Sequence, residues 1–116
     1  MALAKNGTLY VAETVNNRPD AATRSTAIAD GTDTLSSGGA LNGPLGLTMA
    51  PDGDIVALNG NDGNAVEVSP QGRQIAKVML VAHGAGDLFG AAVEPTGQGI
   101  LFVNDGTNAL ELASVR

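Results

Sequence analysis

An internal repeat of about 45 residues constrains the fold of this chain more than any other feature. The clearest copy, residues 43–64, reads GPLGLTMAPDGDIVALNGNDGN, and residues 86–108 repeat it downstream. Residues 1–17 repeat its second half. Three equivalent positions align the copies with one another: Glu13, Asn59 and Asn104. Their separations along the chain are 59 − 13 = 46 and 104 − 59 = 45 residues. A fixed period of this size, with one strand-turn-strand unit per copy, indicates a propeller or a solenoid.

Within each copy, short apolar stretches alternate with turns rich in glycine, proline and asparagine. In the clearest copy, the turn Pro51-Asp52-Gly53 supplies the fixed φ of proline and a glycine that tolerates positive φ. Residues 30–42 are polar and glycine-rich, and we predict that they connect two copies. The pattern predicts about eleven strands, at about residues 1–5, 8–13, 20–23, 25–29, 45–50, 54–58, 65–69, 74–81, 88–94, 100–103 and 109–113.

Composition excludes several classes of function. The net charge of −6 repels phosphate backbones, so we expect no nucleic-acid partner. The chain has no cysteine, which excludes disulfides, thiolate catalysis and cysteine-type zinc sites. No apolar run approaches the ~18 residues of a membrane span, and no secretory signal is visible. We therefore expect a soluble domain without a membrane partner, and its compartment stays open.

The segment NGTLYVAETVNNR, residues 6–18, is similar to the signature of NHL-repeat β-propellers. In that family, a Gly-x-[Leu/Ile]-Tyr-Val-Ala-Asp strand is followed by a small residue and Asn-Asn-Arg. The resemblance implies an all-β fold, a partial β-propeller of about two and a half to three four-stranded antiparallel blades. Blade one would cover residues 1–42, blade two 43–85 and an incomplete blade three 86–116. The first blade would lack part of its innermost strand and the last its outermost strand.

A partial propeller leaves two blade faces without a neighbour, because each blade normally buries its faces against the next one. Complete rings of the NHL family typically have about six blades. Two copies of this chain would supply 3 + 3 blades, so we expect self-association, with a dimer as the expected assembly. The sequence predicts a closed ring of identical chains with a polar central site.

The three registered positions are candidate metal ligands. Each would lie at the end of an inner strand, and carboxylate and amide oxygens are ligands that Ca²⁺ accepts. The pattern resembles gluconolactonase-type six-bladed hydrolases, which hold a metal in their channel with acidic and amide side chains. That resemblance implies a divalent cation, calcium or zinc, held by Glu13, Asn59 and Asn104. The alternative is that these side chains cap strand ends by hydrogen-bonding to neighbouring backbone.

Candidate catalytic residues follow from the same resemblance. Asp62 and Asp105 could serve as a general base for an attacking water, and Glu13 and His83 are further candidate catalytic residues, His83 being the only imidazole of the chain. Asp62 and Asp105 also stand in Asp-Gly pairs that are typical of simple turns. Two classes of function thus stay open. One is a non-catalytic, self-assembling repeat module, and the other is a metal-dependent hydrolase of lactones, aryl esters or phosphotriesters.

Overall fold

A computed structural model describes residues 1–14, 26–30, 33–94, 97 and 99–114. Within these ranges the chain forms eleven strands and no helix. The strands are β1 (Ala2–Leu3), β2 (Leu9–Thr14), β3 (Thr26–Asp30), β4 (Asp33–Ser37), β5 (Pro44–Met49), β6 (Ile55–Asn59), β7 (Asn64–Val68), β8 (Gln74–Met79), β9 (Leu88–Val93), β10 (Gly99–Asn104) and β11 (Ala109–Ser114).

The strands form three antiparallel sheets, each made of consecutive strands. The first sheet has the order β1-β2-β3-β4, the middle sheet β5-β6-β7-β8 and the third sheet β9-β10-β11. Every pair of neighbours is therefore consecutive along the chain, and most are joined by short turns, which agrees with the turn-rich sequence. The prediction of an all-β fold built from antiparallel sheets is confirmed.

The hairpin between the first two strands of each sheet has the same geometry. In the middle sheet, the N–H of Ala50 donates to the carbonyl oxygen of Asp54 at 2.8 Å, and Gly53 has φ = 94°. Positive φ costs glycine little, which explains a glycine at this turn position. The counterparts are the Ala4–Thr8 bond at 2.9 Å with Gly7, and the Glu94–Gly99 bond at 3.0 Å with Gly97.

Two hydrophobic cores lie on opposite faces of the middle sheet. Strand β6 explains them, because successive side chains of a strand point to opposite faces. Ile55 and Ala57 pack toward the first sheet, and Val56 and Leu58 pack toward the third sheet. All five residues of β6 are consequently buried. The fully apolar run of this strand is what a sheet covered on both faces requires.

The sheets approach one another at their first strands. Strand β5 contacts β1, β2 and β3 on one side and β9 on the other. Burial falls along the middle sheet from β6, which is wholly buried, through β7 to β8, of which five of six residues are exposed. This gradient places β8 at the periphery. The contacts of β5 with both neighbouring sheets place it at the junction of the three sheets.

One predicted connector contains a strand, so that prediction is wrong. Residues 33–37 form β4, which pairs with β3 over Ala27 to Asp30. Leu35 packs on the core between the first and middle sheets, and the buried hydroxyl of Ser36 accepts a hydrogen bond from Nε2 of Gln74 at 3.1 Å. These contacts anchor a segment with little apolar bulk. The strand predicted at residues 20–23 lies outside the described residues.

Candidate functional site

Two of the three registered residues lie at equivalent strand ends. Asn59 ends β6 and Asn104 ends β10, and both side chains are buried. The third, Glu13, lies in β2 opposite Ala27, and its side chain is outside the described part of the chain.

The amide of Asn59 ties the end of β6 to the preceding connector. Its Oδ1 accepts the backbone N–H of Asn42 at 3.0 Å, and its Nδ2 donates to the carbonyl oxygen of Ala40 at 2.8 Å. The carboxylate of Asp62 stands beside it and accepts from Nδ2 of Asn59 at 3.4 Å and from the N–H of Asn64 at 2.9 Å. This network satisfies buried polar groups and locks the connector to the β6–β7 turn.

Asn104 makes a related cap in the third sheet. Its Oδ1 accepts the N–H of Gly106 at 3.1 Å, and its Nδ2 donates to the Glu111 carboxylate at 2.6 Å. The backbone beside each asparagine also repeats. Gly60 donates to Gly43 and Asp105 donates to Asp87, in both cases at 2.7 Å. The two strand ends are thus built alike although their sequences differ.

Both amide oxygens accept a backbone N–H, which is the capping arrangement expected of asparagine near turns. An amide oxygen has a second lone pair, so this bond leaves one acceptor position on each. Coordination of a cation by Glu13, Asn59 and Asn104 stays a prediction.

His83 and Asp105, the other candidate catalytic residues, lie at this same end of the sheets. His83 is exposed in the connector before β9, with φ = 55°. Asp105 is exposed in the β10–β11 turn, and its N–H bond to Asp87 joins that turn to the connector. No hydrogen bond links His83 to Asp105 among the described residues. Their catalytic role stays a prediction.

A group of three acids that sequence reasoning missed lies at the opposite end of β6. Asp52, Asp54 and Glu67 place one carboxylate oxygen each within 4.8 Å of the others. Asp52 also accepts the N–H of Asp54 at 3.0 Å, which closes the β5–β6 turn. Carboxylates at this spacing suit a divalent cation. The register of β6 with β7 brings Glu67 opposite Val56 and so near this turn, a pairing that a linear motif does not reveal.

The outer faces of the first and third sheets carry exposed apolar side chains. We call Leu3, Leu9 and Val11 the first end face, and Leu101, Val103, Leu110 and Leu112 the third end face; Val11 and Leu101 are half-buried and the others exposed. On the third end face, Leu110 and Leu112 are 68% and 63% exposed, and they lie opposite Val103 and Leu101 in the β10–β11 pairing. On the first, Leu3 is 67% exposed and pairs with Leu9.

No protein-family model matches the chain, and no curated protein gives a significant match. Among the described residues, no helix is long and apolar enough to cross a membrane.

Proposed function

We propose that this chain is a self-assembling fragment of an NHL-type β-propeller, which closes a ring by packing against identical chains. The observation that carries the proposal is the pair of apolar end faces. Each exposes side chains at repeat positions that are buried between sheets elsewhere in the same molecule.

The repeat register assigns a counterpart to each end-face residue. Adding 45 to Val56 and Leu58, which face the third sheet, gives Leu101 and Val103 on the third end face. Subtracting 46 from Ile55 and Ala57, which face the first sheet, gives Leu9 and Val11 on the first end face. The third end face of one chain therefore corresponds to the surface that receives a following sheet, and the first end face to the surface that receives a preceding one.

This correspondence favours a second copy as the partner and a head-to-tail arrangement. The third end face of one chain would pack on the first end face of another, as the third and middle sheets pack within the chain. A head-to-tail interface closes a ring if the rotation allows it. Three sheets per chain make closure with two chains the expected outcome, which gives six sheets in one ring.

The test uses one substitution on each end face and sedimentation at micromolar concentration. The unmodified chain should sediment as a dimer, at twice the 11.6 kDa of one chain. Leu112→Lys and Leu9→Glu should each yield monomers, because in a two-chain ring either substitution damages both interfaces. Mixing the two variants should restore a dimer, because one of the two interfaces then joins unmodified faces.

A matched control tests whether a charged substitution at an exposed apolar residue outside the end faces also prevents dimer formation. Val78 is 57% exposed on the peripheral strand β8, away from both end faces, so Val78→Lys should remain dimeric. A monomeric unmodified chain would refute the proposal. Single variants that remain dimeric would instead indicate pairing of like faces, because each variant then keeps one intact contact.

A further inference from the structure

A groove opens at the hairpin end of the first and middle sheets, away from the asparagine caps. Three turns border it, at Lys5 and Asn6 between β1 and β2, at Pro51 between β5 and β6, and at Pro70 between β7 and β8. Its volume is about 460 Å³, within the range of pockets that hold small molecules. Asn59 lies at the other end of β6, so the groove is separate from the asparagine caps, whereas Asp52 of the acid group lies in the bordering turn, between Pro51 and Gly53.

The groove combines an apolar wall with hydrogen-bond donors. Met49, Pro51 and Pro70 belong to the wall, and none of the described residues that line it is acidic. The residues with polar side chains that line it are Lys5, Asn6 and Tyr10. Asn6 Oδ1 already accepts the N–H of Thr8 at 2.9 Å, which leaves the Nδ2 donor for another group. Such a lining suits an acceptor head group attached to an apolar body.

Tyr10 gives the second, independent indication of a ligand. Its side chain is only 5% exposed, and no hydrogen bond of its hydroxyl occurs among the described residues. In the same residues, no fully buried side-chain oxygen lacks a partner. The hydroxyl therefore retains some accessible surface, and Tyr10 is one of the residues that line the groove. Because this hydroxyl has no protein partner among the described residues, it is available to donate to a molecule bound in the groove.

We propose that the groove binds a small amphipathic carboxylate, with the apolar body on the proline and methionine wall. The carboxylate would accept hydrogen bonds from Lys5 and Tyr10. The net charge of −6 opposes binding of anions in general, so the apolar body must supply much of the affinity. A medium-chain fatty acid is the simplest molecule of this class.

Tyrosine fluorescence provides a local reading of the site, because Tyr10 is the only tyrosine and the chain has no tryptophan. Titration with octanoate should change this fluorescence in a saturable manner, and 1-octanol should bind more weakly. Lys5→Met should weaken octanoate binding about fivefold, as expected for loss of an exposed ion pair. The same variant should leave 1-octanol binding unchanged, and Lys77→Met, on the peripheral strand β8, should alter neither.

Isothermal titration with Tyr10→Phe completes the experiment, since this variant has no tyrosine fluorescence. It should weaken octanoate binding while the folded β-sheet spectrum is retained. Equal weakening of octanoate and 1-octanol by Lys5→Met would overturn the proposal, as would the absence of saturable octanoate binding. The Leu112→Lys variant should bind octanoate as the unmodified chain does, because the groove lies within one chain; loss of binding there would refute a single-chain site.

Discussion

The middle sheet and the two end sheets begin with hairpins of the same geometry, but they differ in what covers them. The middle sheet has a neighbour on each face, and its strand β6 is wholly buried. The first and third sheets each have one covered face and one face that exposes leucine and valine. The same strand position is thus a core position in one copy and a surface position in another. Whether an apolar side chain is buried or exposed therefore depends on whether its sheet has a neighbour on that face, rather than on residue type.

The largest expected effect contrasts a leucine of the middle sheet with one of the third end face. Leu58 is fully buried and Leu110 is 68% exposed. Leu58→Ala should lower the free energy of unfolding by about 2–5 kcal/mol, because it leaves a cavity in a packed core. Leu110→Ala should change the unfolding of the isolated chain by less than about 0.5 kcal/mol. Urea unfolding at low protein concentration measures both, and similar losses would contradict the contrast.

The next effect concerns the cap of the middle sheet. Asn59→Asp removes the Nδ2 donor to Ala40 and sets a second carboxylate beside Asp62. The free energy of unfolding should fall by about 1–3 kcal/mol, the cost of leaving buried polar groups without partners. Asn108→Asp, on an exposed turn residue, is the matched control and should have little effect.

Added Ca²⁺ distinguishes this cap from a metal site. If Asn59 only caps, Ca²⁺ at millimolar concentration should not restore the thermal stability of Asn59→Asp. If Asn59 is a cation ligand, the extra carboxylate should strengthen binding, and Ca²⁺ should raise the melting temperature of the variant above that of the ion-free protein.

Much of the fold is predictable from local sequence because its signals are local. The Pro-x-Gly and Asn-Gly turns set hairpins, and alternating or continuous apolar runs set strands. Strand β4 was not predicted because Asp33 to Ser37 has only one bulky apolar residue, Leu35, and the residues that Leu35 packs against come from other parts of the chain. The Asp30-Gly31 pair before it is a hairpin signal that could have indicated the strand.

The candidate sites were less predictable because they depend on contacts between distant segments. The Asn59 cap needs the connector at Ala40 and Asn42, seventeen to nineteen residues earlier. The acid group joins Glu67 to a turn on the neighbouring strand. The groove requires three turns from two sheets. A repeat period marks equivalent positions, but it does not reveal which side chains meet across them.

A smaller effect compares two glycines with positive φ. Gly63, in the β6–β7 turn of the middle sheet, has φ = 75°, and a Cβ there would collide with the carbonyl oxygen of Val81. Gly7, in the first sheet, has φ = 91° and open space around it. Gly7→Ala should cost about 1–2 kcal/mol from backbone strain alone. Gly63→Ala should lower the free energy of unfolding, measured by thermal unfolding, more than Gly7→Ala does. Equal losses would mean that the segment around Val81 can move away from the added Cβ.

The last comparison tests whether a side chain is buried because another sheet covers it or because it belongs to the middle sheet. Val78 in β8 and Val66 in β7 belong to the same sheet, but Val78 is 57% exposed and Val66 is fully buried. Val78→Thr should change the free energy of unfolding by less than about 0.5 kcal/mol. Val66→Thr should lower it by about 1–3 kcal/mol, because it buries a hydroxyl among apolar side chains. If Val78→Thr proved equally costly, β8 would have to be covered in solution, and a partner would contact the periphery as well as the end faces.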